Sequence, residues 1–235
     1  KFMTEDNVID KNIDKGEELF PEESLKEMVE AGVFYGRKKT KTRPKMKPYV
    51  LTNRGGIEII NLKKTLEGLD PLMDFVREKI KAGGSMLLVG TQPSAFQAVI
   101  NMAEEFSFPY VINRWIGGTL TNFKIVSKRI DYFRKLRDDL KSGAFEGYTK
   151  KERADLEGKI KKSDELFGGL DKLDRLPNVL LVIDPHVHTT AVREAMRMKI
   201  PVVAFANVDS DPEVLDHFIV GNNKAKKSVE WFFGK

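Results

Sequence analysis

The sequence predicts a doubly wound α/β core, a parallel sheet with helices on both faces, into which a helical hairpin is inserted. Three observations carry that expectation. Short continuous apolar runs, among them Met86–Val89, Val179–Ile183 and Val202–Ala206, are strand-sized and lack the polar alternation of a sheet with one wet face. Amphipathic helical stretches separate these runs in regular order. From Asn122 to about Leu170 the rhythm gives way to two long, highly charged helical patterns.

Taken in order, residues 1–23 hold eight acids and three bases and read as an acidic tail. A short helix follows from Ser24 to Ala31, started by a Ser24/Glu27 capping box and ended by Gly32. Residues 36–48 have no periodic apolar face and contain Pro44 and Pro48, which predicts an exposed loop. A short strand pair, Tyr49–Leu51 and Ile57–Ile60, flanks the turn Asn53-Arg54-Gly55-Gly56. The α/β alternation then begins with a helix from Leu62 to Ala82, strand Met86–Val89, helix Ser94–Phe106 and strand Tyr110–Ile112. It resumes with strand Val179–Ile183, helix Thr189–Met198, strands Val202–Ala206 and Phe218–Val220, and helix Asn223–Phe233.

In the interruption, Val126, Ile130, Phe133 and Leu140 mark an apolar seam on one helix, and Leu156, Ile160 and Phe167 mark one on the next. The segment Ser142–Gly147 is a turn, and Thr149 with Glu152 forms a second capping box. An antiparallel coiled-coil hairpin fits this pattern, and so do two ordinary surface helices lying on the core. The expected division is a tail over 1–23, a core over 24–121 and 169–235, and a hairpin over 122–168.

Composition narrows the function. With 41% hydrophobic and 32% charged residues in 235, the chain has the makings of a folded core. No apolar run approaches the roughly 18 residues of a membrane helix, so no membrane partner is expected. The absence of cysteine excludes disulfides, thiolate zinc sites, iron–sulfur clusters and cysteine nucleophiles. The first residues lack a secretory pattern, which predicts a cytoplasmic-type compartment.

Several motifs invite a catalytic reading. Asp184-Pro185-His186-Val187-His188 ends a strand in His-x-His, similar to an amidohydrolase metal motif, but only one further histidine, His217, follows. The turn after Val89, at Gly90, is shaped like an anion site at the carboxyl edge of a parallel sheet, without a dinucleotide or phosphate-loop fingerprint. Asp70, Asp74 and Glu78 share one helix face, and Asp209-Ser210-Asp211-Pro212-Glu213 lacks the glycine and distal Glu of a calcium loop. Both read as solvated charge. No catalytic residue, cofactor or metal is assigned.

The basic segment differs in kind. Between Ala31 and Ile57 stand Arg37, Lys38, Lys39, Lys41, Arg43, Lys45, Lys47 and Arg54, with no acid among them. Cations spaced along a proline-stiffened segment straddle a polyanion and release its counterions. Phe34, Tyr35 and Tyr49 flank them, placed either to stack on bases or to anchor the segment. A second patch, Asn113–Asn122, offers Arg114 as a forked phosphate donor and Trp115 as a flat surface, or else forms a tight turn with a core tryptophan.

These residues resemble one family, the bacterial-type small-subunit ribosomal protein S2. Arg114–Asn122 (R-W-I-G-G-T-L-T-N) matches its signature, and Pro44–Tyr49, Gly56–Leu62, Leu87–Thr91, Ile200-Pro201, Asp211-Pro212, Asp216 and Gly221-Asn222 recur in the family's order. The resemblance spans about residues 24–233. It implies a flavodoxin-like core carrying a protruding coiled coil, a structural role without catalysis, and binding to small-subunit rRNA rather than DNA. It also implies neighbouring ribosomal proteins as partners, with ribosomal protein S1 a candidate, and a cytoplasmic or organellar ribosome as location. Two stretches depart from the family pattern. Gly32–Arg37 (G-V-F-Y-G-R) replaces G-V-H-F-G-H, and Ile219–Lys224 (I-V-G-N-N-K) replaces I-P-G-N-D-D. The runner-up is an enzyme binding a phosphorylated small molecule at the Gly90 turn; a coiled-coil adaptor without RNA is a third reading.

Overall fold

A computed structural model describes residues 22–145 and 147–235, so most of the acidic tail lies outside the described residues. The first described element is helix α1, Glu22–Glu30. It begins before Ser24, which therefore sits inside the first turn instead of capping it. Acidic residues at the start of a helix complement the free N–H groups there, and Glu23 supplies one.

The basic segment is more ordered than an exposed loop. Tyr35–Lys38 forms strand β1, followed by a 3-10 turn at Lys39–Lys41 and a six-residue 3-10 helix at Pro44–Tyr49. Strands β2, Val50–Arg54, and β3, Ile57–Ile60, complete an antiparallel sheet in the order β1-β3-β2. Met46, isolated between two lysines, is buried with Ile60, Val208 and Val220 and ties this small sheet to the main one. A lone apolar residue has no periodicity, which is why sequence pattern missed the order here.

The main sheet holds β4 (Met86–Val89), β5 (Tyr110–Val111), β6 (Val179–Ile183), β7 (Val202–Ala206) and β8 (His217–Val220). All neighbours are parallel and the order is β5-β4-β6-β7-β8. That is the flavodoxin-like sequence of strands, and its topological switch point lies between β4 and β6. Alternate strand residues feed two cores. Leu87, Val89, Leu180, Val182 and Ala204 face one cluster; Met86, Leu88, Leu181, Val203 and Phe205 face the other. Apolar residues on both faces explain the uninterrupted runs in the sequence.

Helices α2 (Leu62–Lys81), α3 (Pro93–Glu105) and α7 (Lys226–Phe233), with α1, cover the second cluster. Helix α7 starts three residues later than expected, because Asn222 Oδ1 accepts from Lys224 N in a turn and the Asn223 side chain is directed inward. Helix α6 (Thr189–Arg197) covers the first cluster together with α4 (Phe123–Lys141) and α5 (Lys150–Phe167). The Thr149/Glu152 capping box is present at the start of α5. Val126, Ile130 and Phe133 of α4 are buried with Ile160 and Phe167 of α5, in the same cluster as the sheet residues.

Candidate nucleic-acid interface

The eight bases of the amino-terminal segment divide into two sets. Arg37, Arg43 and Lys45 are paired with an acidic segment that follows β7. Arg37 Nε lies 2.9 Å from Asp209 Oδ2, Arg43 Nη1 lies 3.6 Å from Asp211 Oδ2, and Lys45 pairs with Glu213. The alternating acids of Asp209-Ser210-Asp211-Pro212-Glu213 thus run alongside the basic segment. The Arg43 N–H bond to Val208 O, 2.9 Å, holds the two in register. Lys38, Lys39, Lys41, Lys47 and Arg54 are exposed and have no carboxylate partner among the described residues.

Arg37 belongs to a buried centre. Four strands of the main sheet each deliver a polar side chain just beyond their carboxyl ends: Gln92 after β4, Asp184 after β6, Asp209 after β7 and Asn223 after β8. Arg37 Nη2 donates to Asp184 Oδ2 at 3.0 Å and to Asn223 Oδ1 at 2.8 Å, while Gln92 Nε2 donates to Asp184 Oδ2 at 2.5 Å. The guanidinium side chain is 12% exposed and that of Asp184 1%. Asp184 also holds φ at +63°, a left-handed conformation costly for a residue with a Cβ. A doubly wound fold ordinarily receives its ligand in this crevice, at the switch point. Here the small sheet fills it with its own cation.

The neighbouring turn is likewise committed inward. His188 Nε2 accepts from Thr91 N at 3.2 Å, which places the ring proton on Nδ1, 2.9 Å from Asp184 O. Burial holds the His188 pKa below its ordinary value. A Cβ on Gly90 would meet Val99 Cγ2 at 3.0 Å and Ala95 Cβ at 3.1 Å, so the glycine serves the close packing of α3 on β4. The Thr91 N–H is therefore spent within the protein and does not offer itself to a phosphate. His186 is exposed while His188 is buried, and Asp70, Asp74 and Glu78 lie on solvent. Neither set forms a catalytic constellation.

The second patch is organised by a residue that sequence reasoning overlooked. Glu194 of α6 is 6% exposed, and its carboxylate accepts from Trp115 Nε1 (3.1 Å), Gly118 N (2.8 Å), Leu120 N (2.9 Å), Thr121 N (3.2 Å) and Thr121 Oγ1 (3.3 Å). Gly118, at φ +88°, lets the chain curl so that these N–H groups converge. Burial pushes the Glu194 pKa up, but the donors from Gly118, Trp115, Leu120 and Thr121 outweigh it and hold the carboxyl below its ordinary range. Trp115 is half-buried by this arrangement and Arg114 beside it is exposed. Arg114 also lines a cavity of about 290 Å³ with Asn113, Asp164 and Glu165. The available signal was a carboxylate among Ala191, Val192 and Ala195 on the buried face of α6.

The core, the basic surface, the Glu194-bound loop and the α4–α5 segment all fall within one stretch that matches a known family. The family described as ribosomal protein S2 matches residues 28–235. The chain belongs to the ribosomal protein S2 family. It is 39% identical over 212 residues to the small ribosomal subunit protein uS2 of Roseiflexus sp. strain RS-1, covering 90% of this chain and 81% of that protein. It is also 39% identical over 207 residues to uS2 of Deinococcus radiodurans, covering 88% and 78%, and 38% identical over 209 residues to uS2 of Desulfovibrio desulfuricans, covering 89% and 81%. As a member of the S2 family it is a structural protein and not an enzyme, in keeping with a switch-point crevice filled by its own side chains. No helix among the described residues is long and apolar enough to cross a membrane.

Proposed function

We propose that this S2-family chain holds small-subunit rRNA through the exposed cations Lys38, Lys39, Lys41, Lys47 and Arg54, with Arg114 as a second point of contact. The supporting observation is the division of the basic segment. Five of its cations face solvent without a carboxylate partner among the described residues, while Arg43 and Lys45 lie at the edge in exposed pairs that phosphates can compete for. Arg37 and Trp115 act from inside, Arg37 by fastening the small sheet to the main one and Trp115 by fixing the loop that carries Arg114. Contacts of this kind position the protein on folded RNA without reading base sequence.

The α4–α5 segment, residues 122–168, is proposed as a coiled-coil arm reaching a neighbouring ribosomal protein, with S1 a candidate. The apolar seams support this, as does the exposed side of α4, where Ile125 is 51% and Tyr132 66% exposed. Replacing both by Ala and measuring occupancy of neighbouring proteins in assembled subunits tests it; unchanged occupancy rejects the arm as a protein contact. The tail and the two core segments complete the proposed organisation, in a cytoplasmic ribosome.

The rRNA contact is tested by co-sedimentation with small subunits depleted of this protein, across a salt series. Neutralising about six phosphates predicts roughly thousandfold weaker binding between 50 and 200 mM salt. Changing Lys38, Lys39, Lys41 and Lys47 to Ala flattens that dependence if they are the contacts. Binding that is indifferent to salt rejects the reading.

A further inference from the structure

The outer face of the small sheet is set by two irregularities in its pairing. Tyr35 pairs with Ile59 and Lys38 with Ile57, so three steps along β1 match two along β3. Val50 pairs with Ile60 and Thr52 with Ile59, so two steps along β2 match one. Residues three apart in a strand ordinarily face opposite sides; a bulge re-aims one of them. The result is two rows across one face, Tyr35–Ile59–Thr52 and Lys38–Ile57–Arg54. By strand geometry the rows lie roughly 7 Å apart.

That face has a definite chemistry. Tyr35 is 44% exposed and Ile57 40%, and Lys38 and Arg54 are exposed at either end of the second row. Among the described residues no carboxylate joins them, because Glu58 falls between Ile57 and Ile59, faces the other side and is buried. The ring of Phe34 backs Tyr35 at 4.1 Å between centroids, whereas Tyr49 is half-buried against Phe218. A flat exposed ring with cations beside it complements a ligand that is both anionic and flat. Continuity with the exposed Lys39 and Lys41 extends the same charge beyond the sheet.

We propose that this face takes an unpaired rRNA nucleotide, its base stacked on Tyr35 and its neighbouring phosphates at Lys38 and Arg54. The proposal rests on the rRNA-binding reading above and adds to it a stacking contact independent of charge. Stacking and phosphate contact leave different signatures, since only the second releases counterions.

The experiment measures binding to depleted small subunits over a salt series for Tyr35→Leu, Tyr35→Phe, Lys38→Ala and Arg54→Ala. Tyr35→Leu is expected to weaken binding by about five- to a hundredfold with the salt slope unchanged, and Tyr35→Phe to stay within about twofold of wild type. Lys38→Ala and Arg54→Ala should each lower the slope by about one. In parallel, ultraviolet cross-linking of wild-type protein in assembled subunits should yield a nucleotide adduct on Tyr35, a readout that needs no substitution to fold. If Tyr35→Leu binds within twofold of wild type and Tyr35 carries no adduct, stacking is overturned while the phosphate contacts stand. If Tyr35→Leu instead loses a neighbouring protein at unchanged subunit affinity, the face is a protein dock and the proposal is overturned. If wild-type binding shows no salt dependence at all, the underlying reading fails together with it.

Discussion

The indole Nε1 of Trp115 donates to Glu194 Oε1 at 3.1 Å, joining the most recognisable loop of the chain to a helix 79 positions away. Three backbone N–H groups of the same loop, from Gly118, Leu120 and Thr121, converge on that carboxylate. The signature R-W-I-G-G-T-L-T-N is therefore first a shape that wraps an internal anion. Arg114 is carried at its rim, and its usefulness to RNA depends on the wrapping.

Glu194→Gln should destabilise the protein by about 2–4 kcal/mol at neutral pH, because an amide nitrogen would face donors that need an acceptor. Urea unfolding measures the loss. The sign with pH follows from a carboxyl held below its ordinary 4.5 in the folded protein. Its contribution is complete above that value and is lost as pH falls through the folded pKa. The Glu194→Gln protein should lack that part of the acid dependence; an identical acid profile would refute the assignment.

Much of this was legible in the sequence. The parallel strands Met86–Val89, Val179–Ile183 and Val202–Ala206 appear with the same bounds in the structure, since each is apolar on both faces. The Thr149/Glu152 box is local chemistry and survived folding intact. What escaped depends on distant partners. Nothing near Arg37 in the chain marks it as internal; its role comes from Asp184, Asp209 and Asn223, which strand order alone brings together. Nor does a run of eight bases reveal that an acidic segment beyond residue 208 will pair with three of them.

His188 predicts a second pH effect. Burial holds its folded pKa below the ordinary 6.5, so the folded protein binds a proton less readily than the unfolded chain. Stability is full above that value and is lost as pH falls from it through the folded pKa. Urea midpoints measured from pH 8 to pH 5 should decline in that window for wild type. His188→Asn should have lower stability at pH 8, having lost the Thr91 and Asp184 bonds, and a flatter profile below pH 6.5.

The paired and unpaired bases should separate by their salt dependence. Changing Lys39 and Lys41 to Ala should lower the slope of log affinity against log salt by about two. Changing Arg43 and Lys45 should lower it less, because Asp211 and Glu213 already neutralise part of their charge. Conversely, Asp211→Asn with Glu213→Gln should raise subunit affinity by removing the competitor. Lower affinity in that double variant would mean that the acids chiefly hold the basic segment in position.

Arg37 offers the sharpest separation between holding the fold and holding RNA. Arg37→Met removes the cation held against Asp184 Oδ2 and Asp209 Oδ2, two carboxylates whose Oδ1 atoms are buried and already lack partners among the described residues. Breaking a buried pair from one side leaves uncompensated charge, so the substitution should cost about 3–5 kcal/mol in urea unfolding. Adding Asp184→Asn and Asp209→Asn should restore most of that loss, since the centre then holds no charge to compensate. At salt concentrations where this triple variant is folded, it should bind depleted subunits with the wild-type salt slope. A slope lower by about one would instead place the Arg37 guanidinium on a phosphate, and the buried centre would have to open on the ribosome to release it.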